Sequence, residues 1–489
     1  MRLTELSNGT YKGAPNPEIR GLSADSRTVN IGWLFAALPG AKSDGRNFIA
    51  AAIESGAGAI LGPPGTVLPP NSDGVALMIV DNPRHAFSLM AARFYNRQPG
   101  TIAAITGTNG KTSTAVFTQQ IWQAFGYQAA SIGTLGVRAP GREEYGSLTT
   151  PDPATLHAEL DRLASEDEVT HLVMEASSHG IEQGRLDGVK LSAGAFTNLT
   201  RDHLDYHASM EDYFAAKARL FSELLPPGAA AVLNADVPEF ETLKDICVRR
   251  ELQVIGYGLN GKRLRLVDRK PVPGGQEITI EVTGRHFQLL LPLVGSFMAM
   301  NALCALGLVM APELENIERT QAAVTVLANL QGAPGRLQSV PGHPAGAAVY
   351  VDYAHTPDAL LNTLMALRPH TTGRLVCITG CGGDRDPGKR PIMGSIAVKL
   401  ADLAIISDDN PRTEDPVAIR AAMMAGAPGA TEIGGRREAI QWAVGQLQAG
   451  DVLVIAGKGH ERGQIIGTAV EPFDDVDEAQ KAMQLAGEG

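Results

Sequence analysis

The segment from 98 to 126 restricts the possible folds more than any other part of the chain. It reads QPGTIAAITGTNGKTSTAVFTQQIWQAFG, which is an apolar run after a Pro-Gly pair, then a turn with two glycines, then a helical pattern. A strand that turns through glycines directly into a helix is typical of a parallel α/β sheet. The backbone N–H groups at the helix start face the turn and can bind phosphate. The sequence therefore predicts an α/β fold with a phosphate-binding loop.

Apolar strands followed by polar turns and helical patterns recur on both sides of this segment. They include GWLFAALPG and ALMIVDNPRHAF before it, and HLVMEASSHG, GAFTNLT, VYVDYAHTPDAL, LVCITGCGGDRD, LAIISDDNPRTEDP and VLVIAGKGHE after it. Between Arg249 and Leu291, alternating strands such as ITIEV predict an antiparallel insertion or sheet edge. At about 150 residues per domain, the chain of 489 residues is long enough for three α/β domains. We expect a small N-terminal domain at 1–97, a central P-loop ATPase-like domain at 98–332 and a C-terminal Rossmann-like, doubly wound domain at 333–489.

Composition narrows the function classes. Hydrophobic residues make up 44% and charged residues 19%, as in globular proteins, and the net charge of -11 opposes general binding to nucleic acid or anionic lipid. The first ten residues lack the apolar core of a secretory signal, and four sparse cysteines suit a reducing compartment. We therefore expect a cytoplasmic protein, and we expect it to be a monomer.

One uncharged stretch is long enough to raise the question of a membrane span. No formally charged residue occurs from 286 to 312. Pro292 and Gly295 interrupt the stretch, and polar Asn301 lies within it. The sequence therefore predicts a short strand followed by a buried helix that begins near Phe297, with no membrane span.

The glycine turn in the opening segment carries residue types that suit nucleotide phosphates. Lys111 can reach the terminal phosphates, and the Thr112 hydroxyl can bind a magnesium ion. The loop is a shortened Walker pattern, because the full pattern requires Gly at position 105, where this chain has Ile. A glycine turn without a ligand would explain the glycines but not a Lys-Thr pair at a helix start. The residues predicted here to bind phosphate, which the resemblance given below implies to be that of ATP, are Gly107, Thr108, Asn109, Gly110, Lys111, Thr112 and Ser113.

Polar side chains also follow two other apolar strands. Glu175 ends the run HLVM at a sheet edge where ligands bind, and it is a natural metal ligand. Taken alone, Glu175 could equally be a helix cap or a surface acid. His and Asp near a phosphate could complete a second magnesium site, although surface loops are polar too. A second cluster comprises Asn198, Asp202, His203, Asp205 and His207, and Lys217 follows on a predicted helix.

Eight motifs, in their order along the chain, resemble those of the Mur ligase family, bacterial ATP-dependent enzymes that form amides in cell-wall precursor synthesis. The motifs are GTNGKTS, MEASSHG, NLTRDHLDYH, YFAAKARLF, VDYAHTPDAL, GCGGDRDPGKR, DDNPRTEDP and GKGHE. Within the family, they are most similar to members that add meso-2,6-diaminopimelate to UDP-N-acetylmuramoyl-L-alanyl-D-glutamate. The resemblance implies that the substrate carboxylate attacks the γ-phosphate of ATP, and that an amine then displaces phosphate from the acyl phosphate.

The resemblance also implies which residues act in the reaction. Lys111 and Glu175 would neutralise charge during phosphoryl transfer together with Mg²⁺. Lys217 matches a lysine that the family carries as a carbamate, because a dication repels an ammonium but binds a carbamate. From the residues alone, Lys217 would be an ordinary surface lysine. The implied catalytic residues are Lys111, Lys217, His203 and Glu175, and the implied metal ligands are Thr112, Glu175, His203 and Lys217 as carbamate.

Contacts to ATP and to the nucleotide sugar follow from the resemblance alone. Asn301, Arg336 and His355 would contact ATP. The chain has Met298-Ala299 where the family often has Asn-Val, which leaves the contacts to the base open. The residues implied to bind the UDP-sugar-dipeptide are Ser26, Thr149, Thr150, Ser177, Gln183 and Arg185.

The tetrapeptide DNPR at 409–412 discriminates most within the family, which uses it where diaminopimelate is bound. The distal carboxylate of diaminopimelate needs a planar bidentate cation, and Arg412 supplies one, whereas L-lysine would leave it unpaired. A helix-capping turn with a solvated Arg412 is the alternative. DNPR also occurs at 81–84, but only the later copy follows GGDRD and precedes GKGHE. The residues implied to bind diaminopimelate are Arg385, Asp409, Asn410, Pro411, Arg412, Gly457 and Glu461.

Three other functions remain open at this point. A lysine-adding relative and a folylpolyglutamate-type ligase share the shortened loop, although Arg412 and the N-terminal domain argue against both. A nucleotide-dependent switch or binding module would bind ATP without forming an amide. Phosphate release that does not require an amino-acid substrate would favour the switch.

Overall fold

The structure is a computed structural model that describes residues 1–40, 43–146, 148–202 and 206–488. The chain divides into two compact units. The first contains Met1–Gly256 and Gly307–Pro312, and the second contains Tyr257–Leu306 and Glu313–Gly489. Both units consist of helices and mainly parallel sheets, so the predicted α/β fold class is confirmed.

The first unit begins with short elements and continues with a larger sheet. Its strands are β1 (Leu22–Ser23), β2 (Leu34–Ala36), β3 (Ala59–Gly62), β4 (Ala76–Ile79), β5 (Thr101–Thr106), β6 (Ala129–Gly133), β7 (Gly136–Ala139), β8 (Arg142–Glu144), β9 (His171–Glu175), β10 (Ala193–Phe196) and β11 (Ala230–Asn234), while β12 (Gln253–Gly258) crosses into the second unit. Its helices are α1 (Leu3–Leu6), α2 (Ile49–Glu54), α3 (Pro83–Phe94), α4 (Lys111–Ala124), α5 (Pro153–Ser165), α6 (Ser178–Glu182), α7 (Met210–Arg219) and α8 (Phe240–Arg249).

The N-terminal sheet has the parallel order β1-β2-β3-β4. Its side chains pack with those of α3, and the earlier DNPR copy forms the start of that helix. The Asn82 side chain accepts a hydrogen bond from the His85 backbone N–H, and Pro83 occupies the first turn. Asn as N-cap followed by Pro is a strong helix start signal, so 81–84 is a capping turn.

The larger sheet of the first unit contains the order β11-β10-β5-β9-β6-β7-β8. Strands β11, β10, β5, β9 and β6 are parallel, and β7 and β8 continue as an antiparallel meander. The strands β6, β10 and β11 are buried along their whole length. Strands covered on both faces are continuous apolar runs, which is why the sequence alone predicted β10.

The second unit contains an antiparallel part and a second parallel sheet. Its strands are β13 (Leu264–Val272), β14 (Gly275–Val282), β15 (Arg285–Leu291), β16 (Gln338–Ser339), β17 (Ala348–Asp352), β18 (Leu375–Thr379), β19 (Leu403–Ile406), β20 (Thr431–Glu432), β21 (Val452–Ala456), β22 (Gly463–Ile466) and β23 (Ala469–Pro472). Its helices are α9 (Ser296–Met310), whose last turn belongs to the first unit, α10 (Ile317–Leu327), α11 (Pro357–Leu367), α12 (Lys389–Leu400), α13 (Pro416–Met424), α14 (Arg436–Gly445) and α15 (Asp475–Glu488).

Strands β13, β14 and β15 form the antiparallel insertion that the alternating pattern predicted. Helix α9 begins one residue before the predicted Phe297, and Asn301 within it is buried. Among the residues that the structure describes, no helix is long and apolar enough to cross a membrane. Six of the remaining strands form the order β16-β17-β21-β18-β19-β20, parallel except for the edge strand β16, and β22 and β23 form a two-stranded antiparallel sheet.

Candidate functional site

Three neighbouring parallel strands of the first unit end at the same edge of the sheet. Ile105 of β5 pairs with Glu175 of β9, and Thr106 pairs with Phe196 of β10. The loop from Gly107 therefore lies between the carboxyl ends of β9 and β10. Ligands of open α/β sheets bind at this edge, so the fold brings the predicted phosphate loop, Glu175 and the segment after β10 to one place.

The glycine loop is held by the segment that follows β10. Thr197 Oγ1 donates to the Asn109 carbonyl over 2.6 Å, and the Asn109 backbone N–H donates to Asn198 Oδ1 over 2.9 Å. Gly107 has a φ of +142°, and a Cβ there would lie 1.9 Å from Thr197 Oγ1. Gly110 is the N-cap of α4 with a φ of +88°. The first-turn N–H groups of α4 have no partner within the helix and lie at its positive end, which suits an anion.

Two lysines converge on one carbonyl oxygen of this loop. Lys111 Nζ donates to the carbonyls of Gly107 and Thr108 over 2.9 and 2.8 Å, and Lys217 Nζ, on α7, donates to the Gly107 carbonyl over 2.8 Å. Lys217 is 1% exposed, and its Nζ lies 4.3 Å from the ring centroid of Tyr213. Burial, and then the charge of Lys111, hold the pKa of Lys217 well below its usual value. The interpretation of Lys217 as a surface lysine is therefore wrong.

Glu175 is buried at the end of β9 and is fixed by Thr134. Its Oε1 accepts the Thr134 backbone N–H over 2.8 Å, and its Oε2 accepts the Thr134 hydroxyl over 3.2 Å. Gly133, the last residue of β6, makes room for it, since a Cβ at position 133 would lie 2.2 Å from Oε1. Glu175 caps no helix, because the N-cap of α6 is Ser177. The sequence alternatives of a helix cap and a surface acid are both wrong.

The implied metal ligands are only partly described. Thr112 lies buried in the first turn of α4, close in sequence to the Gly107 carbonyl that Lys217 contacts. His203 and Asp205 lie outside the described residues. Within the described residues, no group of three or more His, Cys, Asp and Glu side chains is arranged to hold a metal ion. The described members of the implied ligand set are Thr112, Glu175 and Lys217. Of these, Glu175 alone is a His, Cys, Asp or Glu residue.

Four of the residues implied to bind the nucleotide sugar form one hydrogen-bonded group. Thr150 Oγ1 accepts the Ser177 backbone N–H over 3.0 Å and donates to the Glu175 carbonyl over 2.9 Å. The Arg185 guanidinium donates to the Thr150 carbonyl over 2.5 Å and to Gln183 Oε1 over 2.8 Å. Burial lowers the pKa of Arg185, because a charged guanidinium is less well solvated inside the protein than in water.

The other two residues implied to bind the nucleotide sugar are Thr149, which lies near this hydrogen-bonded group, and Ser26, which lies elsewhere in the first unit. Thr149 Oγ1 lies 3.2 Å from the hydroxyl of Thr134, the residue that holds Glu175. Ser26 begins a short 3-10 turn between β1 and β2, in the N-terminal sheet. The structure thus joins Thr149, Thr150, Ser177, Gln183 and Arg185 around the end of β9, and it places Ser26 in another part of the first unit.

In the second unit, three loops leave the carboxyl ends of adjacent parallel strands. The order β21-β18-β19 places GCGGDRD after β18, DNPR after β19 and GKGHE after β21. Their residues are in direct contact. Asn410 Nδ2 donates to Glu461 Oε2 over 2.9 Å, and the guanidinium of Arg412 donates to the Gly383 carbonyl over 2.9 Å. A Cβ at Gly457 would lie 2.5 Å from Asp409 Oδ2. The fold thus assembles most of the implied amino-acid site.

Arg412 and Arg385 are placed differently within this site. Arg412 is partly buried with a φ of +51°, and α13 begins later, with Asp415 as N-cap, so the alternative of a capping turn with a solvated Arg412 is wrong. Arg385 is exposed and donates only over 3.2 Å to the neighbouring Asp384 carbonyl. Pro411 is buried, and its carbonyl would lie 2.0 Å from a Cβ at Gly383.

The ring of Tyr353 lies beside two of the residues implied to contact ATP, Arg336 and His355. The Arg336 guanidinium lies 4.8 Å from the ring centroid of Tyr353, and the His355 ring lies 4.5 Å from the same centroid. His355 Nδ1 lies 2.9 Å from the Tyr353 carbonyl, and burial lowers the pKa of His355, which favours a neutral imidazole. Asn301 lies on α9, away from this group in sequence.

Sequence reasoning missed several residues that hold these sites. Thr134 and Gly133 fix Glu175, but they lie at the end of a strand that no polar cluster marks in the sequence. Lys458 lies inside GKGHE, yet its complete burial and its bonds to Asn410 and Glu461 could not be read from a motif. A lysine between two glycines in a buried strand end was the one available signal, because lysine is almost never fully buried unless it is paired.

Comparison with known proteins gives matches along most of the chain. Three family models match: "Mur ligase family, catalytic domain" at residues 18–95, "Mur ligase middle domain" at 105–309 and "Mur ligase, glutamate ligase domain" at 335–459. A UDP-N-acetylmuramoyl-L-alanyl-D-glutamate--2,6-diaminopimelate ligase of Caulobacter vibrioides is 51% identical over 489 residues, which cover 99% of each chain.

Solved structures show the same architecture. The structure of a UDP-N-acetylmuramoyl-L-alanyl-D-glutamate--2,6-diaminopimelate ligase is 34% identical, has a TM-score of 0.73 and covers 99% of both chains. The MurF ligase of Thermotoga maritima in complex with ADP is 18% identical, with a TM-score of 0.62 over 96% of this chain and 98% of the other. That last likeness shows a common fold.

Proposed function

This chain belongs to the Mur ligase family, and from that premise we propose that it is an ATP-dependent ligase that joins 2,6-diaminopimelate to UDP-N-acetylmuramoyl-L-alanyl-D-glutamate. The observation that supports this most directly is the 51% identity over 99% of both chains to a relative with that name. The site geometry agrees, since a phosphate loop, a buried carboxylate and an arginine loop each lie at the ends of parallel strands.

The first step would be phosphoryl transfer from ATP to the carboxylate of the acceptor. The carboxylate oxygen attacks the γ-phosphorus, the bond to the β,γ-bridging oxygen breaks, and ADP leaves. Gly107–Ser113 would bind the phosphates through the N-terminus of α4, and Lys111 would exchange its two carbonyl acceptors for phosphate oxygens. The amine of diaminopimelate then attacks the acyl carbon, phosphate leaves, and the amine loses a proton.

Mg²⁺ prefers oxygen ligands, which Thr112, Glu175 and a carbamate on Lys217 would supply. Thr112, Glu175, His203 and Lys217 as carbamate would hold the ion, and Glu175 is already oriented by Thr134. When bound, the ion would supply positive charge that offsets the phosphate charges during transfer. The buried ammonium of Lys217 fits this role only after carbamylation, because an ammonium at this position would repel the ion.

The environment of Lys217 favours that modification. Burial and the neighbouring Lys111 lower its pKa, which raises the fraction of neutral amine at neutral pH. A neutral amine lone pair can attack the carbon of CO₂, forming an N–C bond and releasing the amine proton to water. The product is an anion beside Lys111, where the two ammonium groups previously repelled each other.

The remaining substrate contacts are proposals that rest on the family resemblance and on placement. Arg185, with Thr149, Thr150, Ser177 and Gln183, would contact the anionic acceptor, and Ser26 would contact its uridine part. Asn301, Arg336 and His355 would contact ATP. For diaminopimelate of the meso form, Arg412 and Arg385 would bind carboxylates and Glu461 an ammonium group, within a site formed by Asp409, Asn410, Pro411, Arg412 and Gly457.

We further propose that residues 1–97 bind the UDP-sugar, 98–332 bind ATP and 333–489 bind the amino acid. In this proposal the protein acts as a monomer in the cytoplasm, where ATP is available, and takes part in peptidoglycan precursor synthesis. These assignments predict which ligand each domain retains, and binding of UDP-sugar, ATP analogue and diaminopimelate to variants in each segment would test them.

The decisive assay is mass spectrometry of products made with ATP, Mg²⁺ and the UDP-sugar-dipeptide, with meso-diaminopimelate or L-lysine in parallel reactions. We expect a diaminopimelate adduct with equal ADP release and little lysine adduct. The Arg412→Ala enzyme should lose at least about 10²-fold in kcat/KM for diaminopimelate, because a charge-assisted bidentate pair is lost. A lysine adduct as the main product would overturn the substrate assignment, and ATP hydrolysis without either amino acid would favour a nucleotide-dependent switch.

A further inference from the structure

Arg412 adopts a backbone conformation that arginine does not prefer. Its φ of +51° lies in the left-handed region. For a residue with a Cβ, that region is disfavoured relative to the right-handed helical region, because the Cβ comes too close to the following carbonyl oxygen. The surrounding structure must therefore hold Arg412 in place, because an isolated loop of this sequence would leave the left-handed region.

The hairpin of β22 and β23, residues 463–472, supplies that support. The Arg412 backbone N–H donates to the Ile465 carbonyl over 3.0 Å, and the Arg412 carbonyl accepts the Gly467 backbone N–H over 2.7 Å. One residue of the hairpin also uses its side chain, since Gln464 Nε2 donates to the Asp409 carbonyl over 2.6 Å. The hairpin thus holds both ends of the tetrapeptide 409–412, and Arg412 forms an isolated parallel bridge with Ile466.

Lys458 links the same hairpin to the site through hydrogen bonds. Its side chain is completely buried, and its Nζ donates to the Gly463 carbonyl over 2.5 Å, to Asn410 Oδ1 over 3.1 Å and to Glu461 Oε2 over 3.4 Å. Asn410 Oδ1 also accepts the Ile465 backbone N–H over 2.9 Å. One ammonium therefore joins the hairpin, the arginine loop and the acidic residue of the implied site.

We propose that this hairpin is a specificity element, and that Gln464 and Lys458 are positioning residues that hold Arg412 in register with the distal carboxylate of the incoming amino acid. The inference rests on the proposed function, because it assumes that Arg412 binds this carboxylate. Neither side chain needs to touch the substrate. Their effect passes through the backbone of Asp409 and the side chain of Asn410.

The consequence for specificity follows from the difference between the two amino acids. Diaminopimelate and lysine differ only in the distal carboxylate, so only diaminopimelate depends on the position of Arg412. A bidentate pair requires both N–H groups to meet both oxygens, and a misplacement of about 1 Å can cost about 10²-fold. Loss of the Gln464 bond should therefore weaken use of diaminopimelate and leave the slow use of lysine unchanged.

The test compares Gln464→Leu with Glu471→Leu in the full-length enzyme. Glu471 pairs with Gln464 across the hairpin and is exposed, so its replacement makes a similar change without touching the tetrapeptide. We expect Gln464→Leu to lower kcat/KM for diaminopimelate at least about tenfold, chiefly through KM. Glu471→Leu should stay within about twofold of the wild type, as is usual for a surface change. In an Arg412→Ala background, Gln464→Leu should have no further effect.

Each outcome decides the proposal. An equal tenfold loss in the Arg412→Ala background, or an equal loss with lysine, would show that Gln464 acts on general stability and would overturn it. Lys458→Met should also lower kcat/KM for diaminopimelate at least about tenfold, but it removes a bond to Glu461 as well, so use of lysine should fall with it and the Gln464 variants decide the specificity claim. A wild-type enzyme that forms no diaminopimelate adduct would refute the proposed function instead, which separates the two failures.

Discussion

Replacing Gly133 with alanine should disable Glu175 while leaving the fold nearly intact. The new Cβ would lie 2.2 Å from Oε1, 2.6 Å from Cγ and 2.7 Å from Cδ of Glu175. Ordinary van der Waals contact begins at 3.4 Å, so the carboxylate would have to retreat by at least about 1.2 Å. Backbone conformation is not the obstacle, because the φ of Gly133 is not in the positive range.

The size of the effect follows from what the retreat breaks. Glu175 would lose its two bonds to Thr134, 2.8 and 3.2 Å long, at a cost of about 1–3 kcal/mol in the free energy of unfolding. Activity should fall as well, because displacing a metal ligand or its support typically costs about 10–100-fold. We therefore expect kcat/KM to fall about 10–100-fold in an enzyme that still unfolds cooperatively.

The assay is ADP release with all three substrates at several Mg²⁺ concentrations, combined with urea unfolding. Gly100→Ala is the matched control, since only the Thr170 carbonyl lies within 4 Å of a Cβ at that position, at 4.0 Å. The same Gly133→Ala change is then made in a Glu175→Gln enzyme. If Gly133→Ala acts through Glu175, it should add less than about threefold there, because residues in contact are not additive.

Full additivity of the two substitutions would refute this reasoning. So would a Gly133→Ala enzyme that has lost activity but needs no more Mg²⁺ than the wild type. Normal activity with a stable fold would show that the carboxylate of Glu175 does not need its present position.

Three other predictions concern buried charges. In buffer depleted of bicarbonate, the ligation rate of the wild-type enzyme should fall, and added bicarbonate should restore it. Lys217→Arg, which cannot form the carbamate, should lose at least about 10²-fold in ligation rate and should not respond to bicarbonate. An unchanged wild-type rate would contradict carbamylation. Burial lowers the pKa of His157 to about 4, so between pH 6.5 and 4 only the unfolded chain gains this proton, and the free energy of unfolding should decrease by up to about 3 kcal/mol as pH falls. In urea titrations, His157→Phe should lack this part of the pH dependence of the free energy of unfolding. The same pH dependence in His157→Phe and in the wild type would show that His157 is not its cause. Asp475→Asn leaves the fully buried guanidinium of Arg436 without its ion pair and should cost about 3–5 kcal/mol in urea unfolding, whereas the exposed Asp477→Asn should cost less than about 0.5 kcal/mol.

The parallel sheets could be predicted from the sequence because their strands are continuous apolar runs. In β5, β18 and β21 every residue, or all but the first, is buried, and each run is followed by a polar turn. Such a pattern specifies both the strand and the edge at which its loop emerges. The phosphate loop, Glu175 and the tetrapeptide 409–412 were located in this way, since each follows a strand of this kind.

The contacts that hold these groups could not be predicted, because they join parts of the chain far apart in sequence. Thr134 meets Glu175 only through the strand order, and Lys217 meets Gly107 across 110 residues. The hairpin 463–472 gave no strand signal, because its residues are mostly exposed and alternate weakly. The burial of Lys217 opposes the usual preference of lysine for solvent, so residue type alone indicated a surface position.

The two copies of DNPR show how little a tetrapeptide determines by itself. At 81–84, Asn82 caps a helix and Pro83 lies in its first turn. At 409–412, the Asn410 side chain binds Lys458 and the hairpin, and Arg412 has a positive φ. The same letters therefore adopt two conformations: the earlier copy begins a helix, whereas the later copy is held by the hairpin 463–472.

The hairpin also offers a route by which a ligase of this kind could change its amino acid during evolution or in the laboratory. Its outer residues, such as Ile466 and Val470, are 44% and 67% exposed, so most replacements there should cost little stability. Libraries restricted to 464–470 would vary the residues that hold Arg412 while the glycine loop at 107–113 stays constant. Altered substrate preference could then arise gradually from an exposed loop, without passing through an unfolded or inactive enzyme.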